Sequence, residues 1–401
     1  MPPARRIDHH QRSVRLYSRS HGFQFSFAGP CYKCSMHRRA FLETMAATPL
    51  LAQSARPETG NAAGVKLGFD TYSLRAFGWK DTRLIDFAAN LKCDTLQISD
   101  SADYSSTDPA HLTQVRDYAA KSGIRIDAGI GCICPLSKSW KPELGSPEQV
   151  IADGLRVAHT VGATSMRCFV GTMDDRRGSR PIEEYMDASI KILRSVKSRA
   201  QDLNVKIAVE NHAGDMQARE IRTIIEEAGK DFVASCLDTG NPMWVMENPL
   251  VSLEVLGPYV VTTHVRDSVV FQHPRGAAAQ WVALGDGVVD WNAFFDLYRR
   301  VCPNALLQLE IITGRPPQIL PYYERDWWKW FEKQPASEFV RFQEMARHGH
   351  SFMGTMVIED APGSHPSEFT AALREQQRVD LERSIRFAQT KLGLGVRWKN
   401  A

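Results

Sequence analysis

Glu210, Asp238, His264 and Glu310 each stand at the end of a short apolar run, in four successive runs of a 401-residue chain. Three carboxylates and one imidazole make a hard, oxygen-rich donor set that suits Mn2+, Mg2+, Co2+, Fe2+ or Zn2+ and does not choose among them. Four protein ligands leave about two positions on an octahedral ion, which is what an adjacent carbonyl and hydroxyl of a sugar need in order to chelate. A metal so placed polarises the C–O bonds and lowers the cost of an enediolate.

Those four residues can converge only if the runs that carry them are neighbouring strands. Apolar runs at 65–70, 94–99, 124–130, 164–170, 205–210, 232–237, 260–265 and 305–312 have strand character and alternate with helical patterns. Helix-start signals stand at Asp108-Pro109, Ser146-Pro147 and Pro181, the last opening a stretch to about Leu203. Eight such pairs predict an α/β fold, a (β/α)8 TIM barrel, as one domain over 55–401. Residues two apart on a strand share a face. Counting back from the four candidates puts Lys206, Ala208, Ala234, Cys236, Thr262 and Gln308 inside. Leu237, Val265, Leu307, Leu309 and Ile311 then face the helices. The stretch at about 313–365 is an aromatic-rich insert after the eighth strand, with Tyr322, Tyr323, Trp327, Trp328 and Trp330 as packing or an oligomer contact. The amphipathic stretch 367–392 is expected to be the last barrel helix.

The beginning of the chain reads differently. Residues 1–54 are expected to be an N-terminal export signal: Arg38-Arg39-Ala40-Phe41-Leu42 resembles a twin-arginine leader, with Met36 a candidate translation start and cleavage near Ala52 to Ala55. This predicts an exported, periplasmic protein with no stable membrane association after cleavage. Loss of 1–54 removes eight Lys or Arg and two Asp or Glu from 49 and 46, leaving 41 against 44. A slightly acidic protein without a basic stripe offers no footprint for nucleic acid. Cys93, Cys168 and Cys236 read as small core residues rather than disulfide partners, and Cys132 and Cys134 as packing or pocket lining.

Val209-Glu210-Asn211-His212, Leu237-Asp238-Thr239-Gly240-Asn241, Thr263-His264-Val265-Arg266-Asp267, Leu309-Glu310 and Leu284-Gly285-Asp286-Gly287 together resemble the sugar phosphate isomerase/epimerase group of xylose-isomerase-like TIM barrels, over about 65–312. The resemblance implies one divalent metal on Glu210, Asp238, His264 and Glu310, with Glu210 and Glu310 also moving the proton to and from carbon. It implies a sugar isomerase or epimerase working through a metal-stabilised enediolate. The same first step serves the alternative, a lyase or dehydratase on a keto-sugar, keto-glycoside or inosose, and a non-catalytic carbohydrate-binding barrel is a third reading. The sequence departs from the ketose 3-epimerases at Asn241, where they carry histidine, and at Val270, where they carry a substrate-binding arginine. A DNA-repair endonuclease on this barrel needs further zinc-binding histidines, one of which Asn241 replaces, and the charge left after loss of 1–54 is wrong for DNA.

Around the four, His212 and Arg266 lie two residues beyond Glu210 and His264 and are expected to face the pocket. His212 reads as a hydroxyl contact or auxiliary acid/base. Arg266 either holds a substrate oxygen or negative group or pairs with Asp267. Asn241 either touches substrate or caps its loop, and Arg167 either points into the pocket or forms an interior ion pair. Trp140 and Trp281, placed in loops after the third and seventh strands, would cover a sugar's apolar face. Asp286 and Asp290 read as turn and cap residues. The partner is a small-molecule sugar or keto-sugar, with a homo-oligomer left open.

Overall fold

The computed structural model describes residues 64–354 and 357–400, so the expected export signal at 1–54 lies outside the described residues. The parallel strands are β1 (Leu67–Asp70), β2 (Thr95–Ile98), β3 (Arg125–Cys132), β4 (Ser165–Phe169), β5 (Lys206–Glu210), β6 (Val233–Asp238) and β7 (Val260–His264). After an antiparallel excursion through β8 (Asp267–His273) and β9 (Gly276–Val282), β10 (Leu307–Leu309) completes the set. The sheet runs β10-β1-β2-β3-β4-β5-β6-β7, and single parallel bridges Thr262↔Leu306 and Val265↔Leu309 join its ends. This is the expected TIM barrel, with all four candidate residues at the carboxyl ends of strands, the rim where such barrels place their sites.

The predicted helix starts hold for stated local reasons. Helices α1 (Asp81–Asn90), α2 (Pro109–Lys121) and α3 (Pro147–Thr160) follow the first three strands. The Asp108 carboxylate accepts from Ala110 N at 2.9 Å, and Ser146 Oγ accepts from Gln149 N at 3.3 Å, each with proline at the first helical position. After the short α4 (Met173–Arg176), the stretch expected as one helix from Pro181 to Leu203 is two, α5 (Ile182–Ser195) and α6 (Lys197–Asp202). At the break, Ser195 Oγ donates to Ile192 O at 2.7 Å, a local bond that competes with the helical ladder. Helices α7 (Ala218–Ala228), α8 (Pro249–Leu256) and α9 (Trp291–Val301) continue the outer layer, and the Asp290 side chain caps α9 through Ala293 N at 3.0 Å.

The region between β7 and β10 departs from expectation. Strands β8 and β9 pair antiparallel from Asp267↔Val282 to His273↔Gly276, and β11 (Gln318–Leu320) joins β9 at Ile319↔Ala278. Gly276 sits at φ 149°, and a Cβ there would lie 2.3 Å from Leu320 O, so this corner demands glycine. Trp281 therefore belongs to a strand rather than to a loop. Helix α10 (Ala336–His348) packs against β8, and α11 (Ser367–Thr390) returns to the barrel as expected. Insert residue Trp327 is buried while Tyr323 is 64% exposed. Among the described residues no helix is long and apolar enough to cross a membrane.

Candidate metal centre and its cavity

Strand parity carries the four candidates to one point. One ligand atom from each of Glu210, Asp238, His264 and Glu310 can be chosen so that all lie within 4.8 Å of one another, and all four residues are buried. His264 Nδ1 is 3.2 Å from Glu210 Oε1 and 3.5 Å from Glu310 Oε2. Its other nitrogen, Nε2, is hydrogen-bonded to Gln97 Oε1. An amide oxygen only accepts, so Nε2 carries a proton and Nδ1 is the nitrogen turned to the carboxylates. That is the tautomer a metal ligand requires.

The supports of the other three are equally specific. Asp238 Oδ1 accepts from Gly240 N at 2.6 Å and Asn241 N at 2.7 Å, while Oδ2, turned to the centre, accepts from Arg266 Nη2. Asn211 clamps β5 to β6, donating to Asp238 O and accepting from Asp238 N, each at 2.9 Å. Arg167 forms an ion pair with Glu210, and Asn241 Nδ2 donates to Glu210 Oε1 at 3.1 Å. Of the alternatives read from sequence, Arg167 thus realises the interior ion pair while also lining the cavity. Asn241 lines it too and braces Glu210. Arg266 does not pair with Asp267. Its guanidinium binds Asp238 and Glu310, whereas Asp267 accepts from Gly285 N and Trp291 Nε1 and holds the annex to α9. Gly240 permits this, because a Cβ there would come within 2.5 Å of the Arg266 side chain.

The electrostatics call for positive charge. Burial pushes the Glu210 carboxyl up, but Arg167 and His264 outweigh it and hold it well below the usual carboxylate range. Burial likewise disfavours charge on His264, yet Glu310 and Glu210 carry it well above the usual imidazole range. Burial pushes Asp238 up to about 7 against the pull of Arg266, with Glu210 and Glu310 adding to the rise. Three carboxylates this close cannot all be ionised without compensating cations. The hard donor set, the His264 tautomer and this charge balance all fit one divalent ion. Cys236 lies beside Glu210 and His264, but burial holds its thiol protonated.

Glu310, Arg167, His212, Asn241, Arg266 and Trp281 open onto one cavity of about 720 Å3. Ser139 and Lys141 line it and Trp140, between them, does not. His212 donates from Nδ1 to Gly171 O at 2.7 Å and stacks on Phe169 at 3.9 Å, which leaves Nε2 as an acceptor. Burial lowers its pKa to about 4, so it is neutral at pH 7. Its loop turns through positive φ at Ala213 and Gly214 and is pinned by Asp215, which accepts from His212 N and Gly171 N at 3.0 Å each.

Three contributors went unread in the sequence. Below the centre, Asp127 accepts from Gln97 Nε2 at 2.9 Å, Thr262 Oγ1 at 2.6 Å and Ser165 Oγ at 2.8 Å, forming a chain Asp127–Gln97–His264. Polar residues inside otherwise apolar runs were the available signal, visible once parity is applied to the first four strands. Trp244 stacks on Trp281 at 4.1 Å, and Arg266 lies 4.5 Å over the same Trp281 ring. Arg177 lines the cavity from the end of α4.

A family model described as a xylose isomerase-like TIM barrel matches residues 66–324. Among curated proteins, the uncharacterized protein YihM of Escherichia coli strain K12 is 20% identical over 148 residues, 37% of this chain and 43% of that protein, so the match spans less than half of that relative's length. Among solved structures, a D-psicose 3-epimerase in the presence of D-fructose has a TM-score of 0.51 at 16% identity, covering 82% of this chain and 100% of the other. The IolI protein with a binding zinc atom has a TM-score of 0.49 at 15% identity, covering 69% and 99%.

Proposed function

Because the chain belongs to the xylose isomerase-like TIM barrel family, we propose that it is a divalent-metal-dependent isomerase or epimerase that moves a proton next to the carbonyl of a free or oxidised sugar. The observation that carries this is the convergence of Glu210, Asp238, His264 and Glu310, the last of which lines a cavity of about 720 Å3. A divalent ion bound there would polarise the substrate's carbon–oxygen bonds and acidify the neighbouring C–H.

The chain's own residues account for the rest. Glu310, in the cavity wall, takes or returns the carbon-bound proton. Glu210, held ionised by Arg167 beneath Asn241, serves the opposite face of the same carbon. His212 accepts from a substrate hydroxyl through Nε2, and the indole of Trp281, stacked against Trp244 and Arg266, meets the cavity by its edge. Residues 1–54 are proposed as a twin-arginine leader that delivers the protein to the periplasm, and N-terminal sequencing of secreted protein would show cleavage near Ala52 to Ala55.

The test is elemental analysis of the purified protein, then incubation with a panel of ketoses and a 3-keto-glucoside in deuterated water. Deuterium entering carbon without loss of water or aglycone is the expected result. Elimination would identify the lyase chemistry instead. Absence of any metal-dependent turnover would sink both and leave a carbohydrate-binding barrel.

A further inference from the structure

The arginines of the cavity wall are already committed, with one exception. Arg75 pairs with Asp360, Arg167 with Glu210, and Arg266 with Asp238 and Glu310, while Arg315 has Asp360 at 3.6 Å. Among the described residues Arg177 has no carboxylate at salt-bridge distance, and its Nε and Nη2 are buried without a hydrogen-bond partner. Its guanidinium lies 4.6 Å over the Trp327 ring, which fixes its plane at the cavity wall.

The preceding residue shows what a structural arginine looks like here. Arg176 donates to both Glu220 oxygens at 2.8 and 3.0 Å and to Asp215 O at 2.7 Å. Arg177 has none of this. Burial pulls its guanidinium below the usual arginine range, and Asp174 only partly restores it. A half-buried charge without a partner is costly, and a costly charge facing a cavity marks a binding group. Trp244 and Trp281, whose Nε1 atoms are likewise buried and unpartnered, line the same cavity and add idle donors, as do Nε and Nη1 of Arg266.

We propose that Arg177 anchors a carboxylate carried by the substrate, so that the cavity takes an acidic sugar whose reacting carbons lie at Glu310. The proposal rests on the sugar reading above and names its substrate class. A single half-buried guanidinium with Asp174 nearby suits a monoanion. A dianionic phosphate ordinarily gathers several unneutralised cations, and the other arginines of the wall each already face a carboxylate.

The experiment is equilibrium binding of D-glucuronate, D-glucose and D-glucose 6-phosphate to the full chain with Mn2+ added, read by tryptophan fluorescence or calorimetry. D-Glucuronate is expected to bind about tenfold more tightly than D-glucose, the preference falling to about one in Arg177→Met and persisting in part in Arg177→Lys. The melting temperature of Arg177→Met should fall little, because the charge had no ionic partner among the described residues and only its contact with the Trp327 ring is lost. A preference unchanged in Arg177→Met overturns the anchor, as does a melting temperature that drops while the preference stays. Tighter binding of the phosphate ester overturns the carboxylate assignment. If D-glucose and D-glucuronate bind alike, the anchor alone falls; if neither binds, the sugar reading falls and takes the anchor with it.

Discussion

The two halves of the barrel rim do different work. The second half, β5 to β7 with β10, supplies the charged groups that meet at the centre: Glu210, Asp238, His264 and Glu310. From the first half, β2 and β3 supply Gln97 and Asp127, which never reach the cavity and instead set the proton and orientation of His264 from below. The difference teaches that a ligand set is only half a site. Without the fixed Nε2 proton, the imidazole could turn the wrong nitrogen to the carboxylates.

The division would break most visibly at the centre itself. Glu310→Gln and Glu210→Gln are each expected to lower turnover by about a thousandfold, within the range for loss of a general acid or base. Elemental analysis should show reduced metal in both, and full metal content would separate proton transfer from ligation. In the supporting half, Asp127→Ala strands three buried donors and should cost about 3 kcal/mol of stability, measured by urea unfolding. A loss no larger than that of an ordinary surface substitution would mean the chain beneath His264 is idle.

Gln97→Leu sharpens the contrast, because it touches no proposed ligand except through His264 Nε2. Metal affinity, followed by chelator competition, should fall by about 10- to 100-fold while the fold is kept. The smallest expected effect lies outside both halves. Burial raises Glu247 to about 7, although Ser252 Oγ donates to it at 2.6 Å. A carboxyl raised on folding binds its proton more tightly in the native state. Its contribution is therefore full below the unfolded value of about 4.3 and is lost as pH rises through about 7. Stability should decline across that window, and Glu247→Gln should flatten the slope. An unchanged slope in the variant would assign the pH dependence to the rim.

The legible parts were those with a local cause. The helix starts at Asp108-Pro109 and Ser146-Pro147 follow from side-chain capping and proline, interactions confined to a few residues of chain. The break at Val196 was missed because nothing in the apolar period of 181–203 marks it; Ser195 Oγ bonds back to Ile192 O there, but like bonds at Ser189 and Thr223 leave their helices unbroken. The β8–β9 hairpin escaped because Asp267–His273 and Gly276–Val282 lack clean alternation. Both strands are largely buried on two sides by β11 and α10 rather than on one. Its turn residues, His273-Pro274-Arg275-Gly276, were the available signal.

By itself the sequence determined which side chains point inward, since a period of two along each strand leaves no freedom once one residue of a strand is placed. That was enough to bring Glu210, Asp238, His264 and Glu310 together. What those side chains bond to was decided only by the tertiary structure. Arg266 reaches Asp238 and Glu310 instead of neighbouring Asp267, and among the described residues Arg177 stands without an ion-pair partner beside well-paired Arg176. Partner choice depends on where a long side chain meets other strands and loops, and no period along one chain segment carries that information.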